Sequence, residues 1–209
     1  MNEIDEEVED IVAEPPKPLS PAAVQRQKER CEVVRIFVEL NHAINCLKIT
    51  REIQSTCDEL HTGFIGFTYR ALVNDALSCL IRVLDIDSKS FSFGTINSRF
   101  RQTVQMVCNK QNIDPARIGK LRDRLRKARN KLHFHIDKEY AANPDDLWLE
   151  LAITHKEMFE IATNLANVVG SVLLEQYSFP ANLSRYEAAD IRPILGCLHQ
   201  CGLGNFTMR

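Results

Sequence analysis

From Ser20 onward the apolar residues of this chain recur at steps of three and four. Val33, Phe37, Leu40, Ile44 and Leu47 form the stripe of an amphipathic helix. Ser20-Pro21 supplies the capping serine and first-turn proline that open one, so the pattern predicts a long helix from there to about Cys57. Leu72, Ala76, Leu77, Leu80, Ile81 and Leu84 predict a second over 64–84, broken by "DIDSKSFSFG". Ile96, Phe100, Val104 and Val107 mark a shorter helix that ends near "NKQN". Asp114-Pro115 repeats the cap-plus-proline start, and Leu121, Leu125, Ala128 and Leu132 fall within one narrow arc. After "YAANP", Leu149, Ile153, Phe159, Ile161, Leu165, Val168 and Val172 predict a long helix from about Asp145 to Tyr177. A last helix, interrupted by Pro193, follows. No alternating β-branched run is long enough for a strand, and nothing repeats at a fixed period. The expected fold class is all-α, a set of antiparallel helices joined by short or moderate loops.

Composition agrees with this reading, because 209 residues with only eight Gly and eight Pro contain few breakers. Length fits one main domain with some tail. Residues 1–21 begin "MNEIDEEVEDIVAE", continue into "EPPKPLSP", and offer no apolar face, so a disordered acidic arm is expected there. The arm is read as a solubilising tail rather than an internal brake. Seven cysteines, an odd number, lie in helical segments behind an acidic start with no apolar leader, which points to reduced thiols in a cytoplasm. No apolar stretch is read as long enough to span a bilayer, and no membrane partner is expected.

The net charge of −2 does not point to a general nucleic-acid coat, but the charge is unevenly placed. Arg117, Lys120, Arg122, Arg124, Arg126, Lys127, Arg129 and Lys131 stand against the single acid Asp123. Arg122, Arg126 and Arg129 share a flank of the Leu121/Leu125/Leu132 stripe, a basic strip leading toward Arg129, and Arg122, Arg126, Lys127 and Lys131 are the candidate RNA-binding residues. Few aromatics are interleaved, so base stacking is not expected.

This basic helix ends in "RNKLHFHID". On a continuing helix Arg129 and His133 share a face, whereas His135 lies about 120° from Arg129 and approaches it only if the helix ends or bends. A guanidinium stays charged and forks onto phosphate oxygens, while an imidazole takes and gives protons near neutral pH. Together they suit RNA cleavage without a metal: a base activates the 2′-hydroxyl, an acid protonates the leaving 5′-oxygen, and a fixed cation stabilises the crowded phosphorus. Asn130 can position the phosphate or the histidine.

"RNKLHFH" resembles the signature of the HEPN superfamily, an Arg followed by a polar residue and, some residues later, a His on a late helix of an all-α bundle. "RNKLHFHID" with "NPDDLWLELAITHKEMFEIATNLANVV", and earlier "LVNDALSCLIRVLDIDSKSFSFGTI", are similar to the abortive-infection U branch, over roughly residues 30–178. The resemblance implies an antiparallel HEPN-like bundle over 22–178; it fades after Tyr177, and 179–209 is read as a helical extension. It also implies a homodimer in which two motifs face one another across a cleft, and a metal-independent endoribonuclease of phage defence or of a toxin–antitoxin pair. RNA and an antitoxin or sensor protein would be the partners, and no cofactor is implied. Carried over by position, the motif residues are Arg129, Asn130 and His135, with His133 as the alternative base. Toxins of HEPN/MNT pairs place a modifiable Tyr two residues after the motif His. Asp137 stands there in this chain, and Tyr140 is the nearest tyrosine.

The alternative in a different class is a non-catalytic HEPN module that dimerises or binds a protein or nucleic acid, with Arg129 and the histidines as a donor network at a helix end. No metal ligand set is assigned. "CLHQC", Cys197 to Cys201, has helix-compatible spacing but no evident fourth ligand and reads as packing cysteines. Asp75 reads as a partly exposed helical acid, or else as a carboxylate that orients an arginine.

Overall fold

A computed structural model describes residues 20–57, 63–86, 90–133, 149–184 and 186–201, with the backbone alone at 132 and 133. The acidic arm falls outside these residues, apart from its last two positions. The described residues are mostly helical and contain no strand, which makes the fold class all-α. The helices are α1 (Pro21–Thr56), α2 (Gly63–Leu84), α3 (Phe93–Arg99), α4 (Arg101–Lys110), α5 (Pro115–Ala128), α6 (His155–Tyr177) and α7 (Ile191–Gln200). A π-helical turn, Arg129–His133, continues α5.

Helix starts follow local capping chemistry. Ser20 accepts from the Ala23 amide and Asp114 from the Ala116 amide, and in each case proline occupies the first helical position. Three expected boundaries differ. The expected short helix over Ile96 to Val107 is two helices, broken at Phe100, whose φ of −116° and ψ of 38° leave the helical region. The helix expected from Asp145 to Tyr177 is broken: residues 149–151 are helical, Ala152 turns the chain at φ 48°, and Thr154 caps a new helix from His155 by accepting from the Glu157 amide, while the expected start at Asp145 lies outside the described residues. Leu149, assigned to the core stripe, is therefore 78% exposed. Pro193 does not interrupt α7; it sits in the first turn, where no intrahelical amide is needed.

The core is built between α1, α2 and α6. Glu39 pairs with Arg82 and His42 with Asp75, so α1 and α2 run antiparallel; Arg26 meets the Gln176 carbonyl and Thr50 meets His155, so α1 and α6 do too. Leu40, Leu47, Leu80, Leu165 and Val172 are fully buried there. Gly170 lets α6 approach α1 closely: a Cβ at that position would lie 3.3 Å from a Phe37 ring carbon. α7 packs Leu195 on Ile53, Cys57 and Ile65 in a separate small cluster. By length and composition α2 alone among the described residues could cross a bilayer, so the expectation that no stretch reaches that length does not hold for it. Its buried Leu77, Leu80 and Val83 and its ion pairs to α1 are the packing of a core helix.

Candidate functional site

The basic helix α5 divides its charges between two faces. Toward α6, Arg117 pairs with Glu160 at 2.7 Å, Arg124 pairs with Glu157 and donates to the Leu151 and Ala152 carbonyls, and Lys127 pairs with Glu150. These side chains fasten α5 to its neighbours. The opposite flank carries Arg122, Arg126 and Arg129, which line one crevice with Ile81, Leu84 and Asp85 at the end of α2. Steps of four and three place them in a row beside one end of α2, where the Arg122 guanidinium also pairs with Asp123 at 3.0 Å.

Arg129 is the inner member of the row. Its side chain is 27% exposed, and its guanidinium stands 3.6 Å from the Asp85 carboxylate, itself 23% exposed. The Arg129 Nε–H donates to Asn130 Oδ1 at 3.4 Å, a long bond that links the two motif residues. The backbone widens from α to π at Arg129, so the motif begins where the helix changes its winding. Such widened turns recur at functional sites. Beside the crevice lies a cavity of about 440 Å³, lined by Ser92, Thr95, Asn97, Ser98 and Gly119 among others; Asp85 and Arg122 border both spaces.

Arg122, Arg126, Arg129 and Asn130 thus come together at one helix end. Lys127 does not, because it turns to Glu150 on the other face. Lys131 is partly buried, with interactions of its own. His133 belongs to the π turn by its backbone, but its side chain lies outside the described residues, as do all of His135 and Asp137. Asp85 was not singled out from the sequence. Its signal was positional only, an acid that directly follows the last apolar residue of α2, and its partner is visible only once α2 packs on α5.

Asp75 is partly exposed, as expected, but it orients a histidine, not an arginine: Asp75 Oδ2 lies 2.6 Å from His42 Nε2. Cys197 and Cys201 of "CLHQC" are exposed rather than packed. Next to Asp75 on α2, Arg82 forks onto Glu39. Burial alone would raise the Glu39 carboxyl, yet the Arg82 bond and charge and the Cys79 thiol bring it below its ordinary value.

Comparison with protein-family models, with curated proteins and with solved structures found no match.

Proposed function

We propose that this chain is a metal-independent endoribonuclease of the HEPN kind, a cytoplasmic homodimer that cuts RNA in phage defence or as the toxin of a toxin–antitoxin pair. One arrangement carries the reading: Arg122, Arg126 and Arg129 stand in a row at a helix end, with the innermost, Arg129, partly buried beside Asn130. A row of guanidinium groups fits successive phosphates of a single strand. In this reading Arg122 and Arg126 guide the strand, Arg129 stabilises charge on the phosphorus oxygens, and Asn130 positions the phosphate. His135, or His133 in its place, moves the proton; both enter from the sequence motif. An antitoxin or sensor protein would control the dimer.

The products would be a 2′,3′-cyclic phosphate and a 5′-hydroxyl, formed in EDTA. Labelled RNA incubated with the purified chain, with His133→Ala and His135→Ala alongside and the product ends identified, tests this. Loss of cutting in His135→Ala supports that residue, and loss in His133→Ala moves the base to the helical face. Ends bearing a 3′-hydroxyl, or a strict need for magnesium, contradict the mechanism.

The Asp85–Arg129 pair favours a second reading, the non-catalytic module, because an arginine already faced by a carboxylate serves as a tie between α2 and α5. In that case RNA is bound or ignored but never cut, and overproduction in a bacterium is no more toxic for the wild type than for His135→Ala.

A further inference from the structure

Away from α5, the middle of α1 meets the middle of α2 through an unusual trio. His42 and Cys46, four residues apart, share a face of α1, and Asp75 reaches them from α2. His42 Nε2 lies 2.6 Å from Asp75 Oδ2 and 3.6 Å from Cys46 Sγ, and Cys46 Sγ lies 4.0 Å from the same carboxylate oxygen. Among the described residues no other three His, Cys, Asp or Glu donors gather so closely.

A Cys–His–Asp nucleophile is the first reading to weigh, and the geometry opposes it. Both the thiol and the carboxylate approach one ring nitrogen, whereas a relay needs the acid on one nitrogen and the nucleophile on the other. Burial, and then the charge of Asp75, also push the Cys46 thiol up to about 11, where it is inert at neutral pH.

We infer that His42, Cys46 and Asp75 form a binding site for a borderline-soft divalent cation, Zn²⁺, through an imidazole nitrogen, a thiolate and a carboxylate oxygen, with the fourth position open to solvent. Tetrahedral zinc with its usual bond lengths separates such donors by roughly 3.3 to 3.6 Å. The sulfur–nitrogen separation already matches, and the sulfur–oxygen separation is a few tenths of an ångström longer. A circle through the three atoms has a radius of about 2 Å, so one point lies near bonding distance from all of them. The histidine and the aspartate must part by about 0.7 Å and the carboxylate must draw a little closer to the sulfur, movements open to side chains that are 53% and 47% exposed. The buried Cys46 is the fixed member, held by the α1 core.

The donor set selects against Mg²⁺ and Ca²⁺, which take oxygen ligands. Binding releases the Cys46 proton to solvent, moves the His42 ring proton from Nε2, where it bonds Asp75, to Nδ1, and replaces the His42–Asp75 hydrogen bond by two bonds to the metal. Thiolate and carboxylate together balance the charge of the ion. Because the ligands come from α1 and α2, the metal would clip together two helices of the main core, independently of whether the chain cuts RNA.

The test is a Co²⁺ titration of the full chain after chelation and desalting. The expected result is one equivalent bound, with a thiolate-to-cobalt charge-transfer band and tetrahedral visible bands, reversed by Zn²⁺. The band is lost in Cys46→Ser, while His42→Ala and Asp75→Asn each weaken binding roughly tenfold or more. These two partly exposed positions keep the test decisive if Cys46→Ser fails to fold. The band persists when Cys197 and Cys201 are both changed to serine. Absence of a thiolate band in the wild type overturns the inference, and so does a band that depends on Cys197 and Cys201 instead of His42 and Asp75.

Discussion

Arg129 and Asp85 oppose one another at 3.6 Å, close enough for attraction but not for a forked hydrogen bond. A phosphate arriving at Arg129 therefore meets a carboxylate a few ångströms behind it. If this is the RNA site, Asp85→Asn should tighten RNA binding about threefold, the effect of removing one like charge near a phosphate in a water-rich setting. Cleavage should slow at the same time, because the guanidinium loses the group that holds it. Filter binding and single-turnover cleavage on the same protein would separate the two effects. A second residue-scale expectation concerns His155, whose Nε2–H donates to the Leu47 carbonyl at 2.7 Å at the start of α6. Burial lowers its pKa despite that bond, so the folded state keeps the ring neutral. Its contribution is fully present above the unfolded value of about 6.5 and is lost as pH falls below that value toward the folded one. Thermal unfolding between pH 7.5 and 5.5 should show this decline, and His155→Gln should flatten it.

At the scale of the helix, the starts of α1 and α5 could be read from sequence because a cap and a first-turn proline act within three residues of one another. Replacing Asp114 by Ala should cost about 1 kcal/mol in denaturant unfolding, the usual loss of one side-chain cap. The start of α6 could not be read. The apolar period runs on through Leu149 and Ile153, and periodicity does not register a positive φ at Ala152. The break at Phe100 escaped for the same reason, since Ile96, Phe100 and Val104 keep their spacing across it. The row Arg122, Arg126, Arg129 was legible because helical arithmetic fixes it. The fate of Lys127 was not, because Glu150 reaches it from another segment. The His42, Cys46 and Asp75 group has an i, i+4 half in the sequence; its third member comes from a different helix.

Across the whole molecule, α1, α2 and α6 supply the rigid body on which α5 is fastened by Arg117 and Arg124. The core should therefore support the site through stability, without taking part in its chemistry. Leu165→Ala, at a fully buried position, should lower stability by about 3 kcal/mol, in the range for a large-to-small change in a close-packed core. Below its own lowered Tm it should leave cleavage near wild type, since it is not among the residues that line the arginine crevice. By the same logic a metal at His42, Cys46 and Asp75 would raise Tm through α1 and α2 without altering product ends. The central claim lies in the arginine row, and it is tested most directly by single-turnover cleavage of a labelled RNA at saturating protein, with Arg129→Ala compared with Arg122→Ala. The account predicts that Arg129→Ala slows cutting by roughly a hundredfold or more at saturation. Arg122→Ala should weaken binding, lower the salt dependence, and leave the saturated rate near wild type. Equal rates for wild type and Arg129→Ala, or no cleavage by the wild type of any RNA that it binds, would contradict it.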